Sequence, residues 1–332
     1  YWAEEYHVDG FRFDLMGVHD IGTMNEVRRA LDRIDPSILL YGEGWTAARS
    51  PLDESLRAVK RAGPRLPRIA VFDDDLRDAL RGGWGDSTEP GFVSGKSGLD
   101  RNVRFGVVGA TAHFQVGFDS SGDSPVAYGG HSAETINYVS CHDDLSLVDK
   151  LRASAPEGMT EEELVRFDKL AQTVVLTAQG IPSLFAGEEM LRTKGGVSNS
   201  HDSPDRVNRI DWSFKADHKD VFDYYRGLIA LRRTHPAFRL ATAAEIERHL
   251  RFLDTGDTHV VAYMLVDHAG DDPWREILVV YNGARAEKRV RIPPGDWHAV
   301  CLDGRIASEA LAVFSGDSVP VPASSALIAY LP

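Results

Sequence analysis

The sequence predicts an α/β chain of about five successive strand–helix units, followed by a small all-β sandwich domain. Three observations predict it. Short apolar runs alternate with helical periodicity from Val8 to Thr234, several of those runs end in polar residues, and from about Thr242 the texture changes to alternating strands punctuated by turns. In order, Val8–Asp14 reads as a strand, Ile21–Ile34 as a helix, Ile38–Gly42 as a second strand with a long loop behind it, and Ile69–Phe72 as a third strand leading to a helix over Asp75–Leu80. The Gly- and Ser-rich stretch around Phe92–His131 reads as a large irregular insertion. Thr135–Cys141 is the fourth strand, with Cys141 inside it as a small buried residue, and a helix over Glu161–Thr177 follows. Ile181–Ala186 and a helix over Val221–Thr234 complete the fifth unit. Beyond it, Val260–Val266, Ile277–Tyr281, Arg289–Ile292 and Ala326–Leu331 read as strands of an antiparallel sandwich, with Pro293-Pro294-Gly295 as a turn. A closed (β/α)8 barrel needs eight strands, so residues 1–240 read as the later part of such a barrel, its first three units preceding Tyr1, and residues 241–332 as the sandwich domain.

Composition narrows the function. Hydrophobic residues at 43% and charged residues at 26% are ordinary for a globular protein. A net charge of −13 argues against nucleic acid and against an anionic membrane surface as partners, and suits a neutral polysaccharide. The two cysteines, Cys141 and Cys301, are too few for a disulfide framework or a paired-cysteine zinc site. No apolar run reaches the ~18 residues of a membrane-spanning helix.

The chemistry sits at strand ends. In Phe11-Arg12-Phe13-Asp14 the aromatics fall on one face and Arg12 and Asp14 on the other, so the guanidinium would keep the carboxylate ionised and oriented, as a nucleophile needs. Glu43 ends the next strand and precedes Trp45, an apolar wall that would raise its pKa towards that of a general acid. Taken singly, Asp14 also fits a helix cap and Glu43 a surface loop acid. Two acids delivered to one end of a sheet suggest glycoside hydrolysis. A third group, His142-Asp143-Asp144, follows the fourth strand, where imidazole and carboxylate can grip sugar hydroxyls; the same residues also fit a helix N-terminus. Trp274, Tyr281, Trp297 and Tyr330 at strand spacing read as core, with a sugar platform as the alternative.

With these motifs in place, the chain resembles the carboxyl-terminal part of a type I pullulanase, an α-1,6-debranching member of the α-amylase superfamily, glycoside hydrolase family 13. The matching stretches are YWAEEYHVDGFRFDLMGVHDI, DPSILLYGEGW, INYVSCHDD, GIPSLFAGEEMLRTK, SPDRVNRIDW and VFDYYRGLIALRRTHPAF, in order over Tyr1–Phe238. The resemblance implies a catalytic set of Asp14 as nucleophile, Glu43 as general acid/base and Asp143 as transition-state stabiliser. It assigns Arg12, Trp45 and His142 to the sugar site, and Asp205 and Arg209 to a loop pair that holds more distant glucose units. It implies an α-glucan substrate and no cofactor for the chemistry; the structural calcium common in the family has no ligands assignable here. SCHDD stands where the family commonly has ESHDN, so Cys141 replaces Ser and Asp144 replaces Asn. The family's Asn-His motif and Tyr-rich motif would both lie upstream, so the missing amino-terminal part of the same protein is an expected partner, and the segment alone is expected to be inactive or poorly soluble. An isoamylase, a glycogen-debranching enzyme or a neopullulanase would use the same three acids, and a non-catalytic glucan-binding relative would keep the fold without the chemistry.

Overall fold

The computed structural model describes residues 1–47, 49–117 and 126–332. Its first part runs α1 (Trp2–Glu5), β1 (Gly10–Phe13), α2 (Ile21–Ile34), β2 (Leu39–Gly42), β3 (Ala70–Phe72), α3 (Asp74–Arg81), α4 (Asp100–Val107), β4 (Thr135–Asn137), α5 (Leu147–Ala153), α6 (Glu161–Thr177) and β5 (Ile181–Pro182). Then come α7 (Asp205–Asn208), α8 (Phe214–Asp217), α9 (Lys219–Thr234) and α10 (Ala243–His249). Helix starts follow side-chain chemistry: Asp20 accepts the Thr23 N–H, Asp73 that of Leu76 and Ser146 that of Asp149, while Thr160 with Glu163 and Thr242 with Glu245 form reciprocal caps.

Strands β1 to β5 pair in parallel in sequence order. Because each crossover steps the same way, the helices gather on one face of the sheet. Alternation decides which residues meet them. Phe11, Phe13, Leu40, Ile69 and Val71 join the large core that includes Met24, Leu31 and Leu76 of the helices. Ala70, Phe72, Ile136 and Tyr138 form a separate cluster on the opposite face, joined by Tyr41, Trp45, Cys141 and Ile181.

The second part comprises β6 (Leu250–Leu253), β7 (Val260–Leu265), β8 (Glu276–Asn282), β9 (Lys288–Leu302), β10 (Arg305–Ile306), β11 (Ala312–Val321) and β12 (Ser325–Leu331). They make one seven-stranded sheet in the order β10-β9-β12-β8-β7-β6, with β11 paired antiparallel to β9. Both faces are buried, which is why β7 and β8 read as continuous apolar runs. Val260, Ala262, Met264, Leu278, Val280, Leu327 and Ala329 line an inner core around Trp297, whereas Val261, Tyr263, Val279, Tyr281 and Ile328 face the first part. There Thr177 of α6 is hydrogen-bonded to the Tyr281 hydroxyl at 2.5 Å, and its carbonyl accepts from the Tyr263 hydroxyl at 3.0 Å.

Four expectations need correction. The stretch Phe92–His131 is not a loose insertion: it contains α4, and Phe92, Val93, Val103, Phe105 and Val107 are all wholly buried; residues 118–125 of it lie outside the described ones. The fourth strand stops at Asn137, so Cys141 sits in the loop beyond it. The fifth strand is two residues long, not six, because Ser183 donates its last sheet bond to Asn137 and the chain then turns away. Pro293-Pro294-Gly295 is no turn but part of β9. Arg291 pairs with Ser318 and Gly295 with Gly316, so more residues on β9 than on β11 fill the gap. That is a bulge, which bends a strand without reversing it and leaves the prolines no ladder bond to break.

Candidate active site

Register builds the site. Phe13 of β1 lies opposite Gly42 of β2, so the next residues along, Asp14 and Glu43, leave the same end of the sheet side by side. The Glu43 N–H donates to the Phe13 carbonyl at 3.1 Å. Gly42 is required for this closeness, since a Cβ there would meet the Phe13 carbonyl oxygen at 2.7 Å and the Met16 Cβ at 2.9 Å.

Arg12 joins the two acids. One guanidinium nitrogen reaches Asp14 Oδ1 at 2.6 Å and the other reaches Glu43 Oε1 at 2.8 Å. Burial works against the charge of the guanidinium, but the Asp14 hydrogen bond and the charges of Glu43, Asp14 and Asp143 outweigh it, and the net push on its pKa is upward. The second oxygen of Glu43 accepts the Leu15 N–H at 2.7 Å. Leu15 turns that amide inward by adopting φ +42°, a left-handed conformation that costs a leucine about 1–2 kcal/mol. The acids differ in access: the Asp14 side chain is 71% exposed and that of Glu43 only 8%. Sequence reasoning placed Glu43 against the wall of Trp45; the structure surrounds its carboxylate with donors instead. Trp45 packs half-buried among Phe72, Ile136 and Tyr138, and its carbonyl accepts the Gly17 N–H at 3.1 Å.

His142 and Asp143 follow β4 on an exposed loop, with Nε2 of one 3.5 Å from Oδ2 of the other. The charge of Asp143 acts on Arg12, the cation that also holds Asp14 and Glu43. Asp144, at φ +60°, points the other way, into a 2.8 Å ion pair with buried Arg81 of α3. Cys141 is no nucleophile in this setting, since burial pushes its thiol pKa up. Asp205 and Arg209 are not joined to the cluster: among the described residues, their link to each other is the Arg209 N–H to the Asp205 carbonyl at 2.7 Å, and the exposed Arg209 guanidinium lies 3.9 Å from Asp211.

Three buried residues behind the loop carried no sequence signal of their role. Glu188 accepts hydrogen bonds from Ser140, from Gln172 at 2.9 Å and from the Phe185 N–H at 3.1 Å, and burial pushes its pKa up to about 7. Arg81 and Lys194 are the other two; the long apolar-charged texture of LRDALR and the run TKGG gave no hint of where their head groups go. Among the described residues no group of three or more His, Cys, Asp or Glu is arranged to hold a metal ion. The aromatics of the second part are packing. Tyr281 and Trp297 are wholly buried, and Trp274 is stacked between His235 at 3.6 Å and Tyr330 at 4.1 Å, which leaves neither face of the indole for a sugar.

An α/β part with acids grouped at one end of a parallel sheet, joined to an all-β domain, describes a class of chain that comparison makes specific. A family model described as "Pullulanase, all-beta domain" matches residues 246–305. The pullulanase of Bacillus subtilis (strain 168) is 37% identical over 293 residues, covering 88% of this chain and 39% of that protein. The structure of the pullulanase from Bacillus acidopullulyticus superposes with a TM-score of 0.91 at 41% identity, over 99% of this chain and 38% of that one. A pullulanase from Paenibacillus barengoltzii, solved in complex with maltohexaose and alpha-cyclodextrin, gives 0.88 at 42% identity, over 100% of this chain and 49% of that one. The chain belongs with the pullulanases and corresponds to the carboxyl-terminal part of a type I member. It spans about two-fifths of the length of the curated relative, 39%.

Proposed function

We propose that the full-length protein hydrolyses α-1,6-glucosidic linkages of pullulan and branched α-glucans with net retention, and that Asp14, Glu43 and Asp143 carry the reaction. The observation that carries this reading is the single guanidinium of Arg12 holding Asp14 and Glu43 at adjacent strand ends. Asp14, open to solvent, attacks the anomeric carbon; Glu43 protonates the glycosidic oxygen and then activates the water that releases the covalent intermediate. Asp143, whose charge acts on the same guanidinium, accepts hydrogen bonds from ring hydroxyls as the sugar flattens towards the oxocarbenium ion, and His142 donates to a neighbouring hydroxyl. Trp45 offers an apolar surface beside the acid, and Asp205 with Arg209 binds glucose units further along the chain. These steps use carboxylates and water alone.

The fold proposal goes with it. Five parallel strands in sequence order, with β1 and β5 at the edges, fit the later part of a (β/α)8 barrel within residues 1–240, whose other strands would come from the preceding part of the protein. Residues 241–332 would form the carboxyl-terminal sandwich, its sheet folded about the core at Trp297. The substrate class is supported by the maltohexaose and alpha-cyclodextrin held by the Paenibacillus barengoltzii relative.

The test is reducing-end release from pullulan by the full-length protein beside its Asp14→Asn and Glu43→Gln variants, with the products identified. Maltotriose that disappears in both variants is expected. A different trisaccharide would move the protein to an α-1,4-acting class; undiminished activity in either variant would refute the site, and binding without any hydrolysis by the unmodified protein would favour a glucan-binding role.

A further inference from the structure

Asp143 sits on a loop with no regular hydrogen bonding of its own, more than half exposed, yet its proposed task requires a fixed position. Two buried cations from distant segments supply the restraint. Lys194, 2% exposed, donates from its ammonium to the carbonyls of His142 at 3.1 Å, of Ser198 at 3.1 Å and of Asp144. The first and last of the residues in the loop flank Asp143 directly, so one head group fixes the peptide on both sides of it. Arg81, 1% exposed, donates to the Leu145 carbonyl at 2.9 Å and pairs with the Asp144 carboxylate at 2.8 Å, which also accounts for Asp144 holding its left-handed φ of +60°. Among the described residues, Lys194 forms no ion pair within 4.0 Å, so all three of its donors serve backbone carbonyls. Its own position is set by Asp149, whose carboxylate accepts the Lys194 N–H at 2.7 Å and the Thr193 hydroxyl.

We infer that Lys194 is a positioning residue for the candidate transition-state stabiliser Asp143, with Arg81 and Asp144 as the second half of the same clamp. The inference rests on the proposed role of Asp143. A buried ammonium that spends its donors on carbonyls gains nothing that a neutral, well-packed side chain would not supply for folding alone, since desolvation works against its charge. What it does supply is a fork that closes on two carbonyls at once. Substrate is not touched by Lys194; it acts through the backbone.

The experiment uses the full-length protein and the substitutions Lys194→Met, which keeps the length of the side chain and removes its donors, and Asp143→Asn. With pullulan as substrate, Lys194→Met is expected to lower kcat by about 10- to 100-fold while KM changes less than threefold, the pattern of an interaction expressed in the transition state. Hydrogen exchange supplies a readout that does not depend on activity: the amides of Asp149 and Lys150, which bond to Ser146 where the loop ends, should exchange faster in Lys194→Met while those of α6 keep their protection. Unchanged kcat in Lys194→Met, with Asp143→Asn inactive, would overturn the positioning role and leave the proposed function standing. Unchanged exchange at Asp149 and Lys150 would overturn it whether or not the protein cleaves pullulan. Inactivity of the unmodified protein, with exchange accelerated as expected, would retain the clamp and remove the function it was proposed to serve.

Discussion

Replacing Arg12 with methionine removes the one cation that bridges Asp14 and Glu43, and the two halves of the bridge should not weigh the same. The Asp14 side chain is 71% exposed, so its ion pair is screened by water and contributes about 0–1 kcal/mol. That of Glu43 is 8% exposed, and its remaining donor is the Leu15 N–H at 2.7 Å. Stripping the cation from a buried carboxylate costs about 3–5 kcal/mol, and the lower end applies because Arg12 itself keeps a quarter of its side chain, 25%, in contact with solvent. The asymmetry is measurable by a double-mutant cycle on the full-length protein, with stability read from the urea transition of the α/β part. Arg12→Met should cost about 3 kcal/mol alone and at least ~2 kcal/mol less in the Glu43→Gln background, where no buried charge is left unpaired. In the Asp14→Asn background its cost should change by under ~1 kcal/mol. Coupling to Asp14 as large as coupling to Glu43 would refute the reasoning, because it would mean that exposure does not govern the strength of the two pairs.

Glu188 should make stability pH-dependent. Its folded pKa, about 7, lies above the ordinary 4.5, so the native state keeps a proton that the unfolded chain has released; the contribution is full below about 4.5 and is lost as pH rises through about 7, amounting to about 3 kcal/mol. Unfolding midpoints measured from pH 5 to 8 should therefore fall more steeply in the unmodified protein than in Glu188→Gln, and parallel profiles would count against it. Gly17→Ala should lower stability by about 1–3 kcal/mol in denaturant titration, since the added Cβ meets the Trp45 carbonyl oxygen at 2.6 Å and Val59 Cγ1 at 2.9 Å; a neutral result would mean that the Trp45 loop is free to shift. Trp297→Ala empties the centre of the second core and breaks its 3.0 Å bond to the Pro293 carbonyl, so denaturant titration should show a loss of about 3–5 kcal/mol, and a loss under ~1 kcal/mol would contradict the packing described.

What could be read in advance differs from element to element. Helices α2 and α6 occupy the predicted spans Ile21–Ile34 and Glu161–Thr177, because Asp20 and Thr160 cap them and their apolar stripes are local in sequence. Strand β5 was overestimated threefold, since an apolar run such as Ile181–Ala186 records burial and not the presence of a hydrogen-bonding neighbour. Strand β11 escaped notice for the opposite reason: with Gly316 and Asp317 in its middle it is polar and half-exposed, and only its pairing with β9 makes it a strand.

The sequence by itself determined the acids and where they stand, because alternation along β1 and β2 is a property of the backbone and sends Arg12 and Asp14 away from Phe11 and Phe13 wherever the chain folds. Only the tertiary structure decided what surrounds them. Arg81 lies far along the chain from Glu188 and Lys194, and the residues after β4 that the three of them hold, Ser140, His142, Asp144 and Leu145, lie 48 to 64 residues away from them, so no local pattern records the partnership. The physical reason is that a buried donor or acceptor must find a partner somewhere, and sequence shows the need without showing the address.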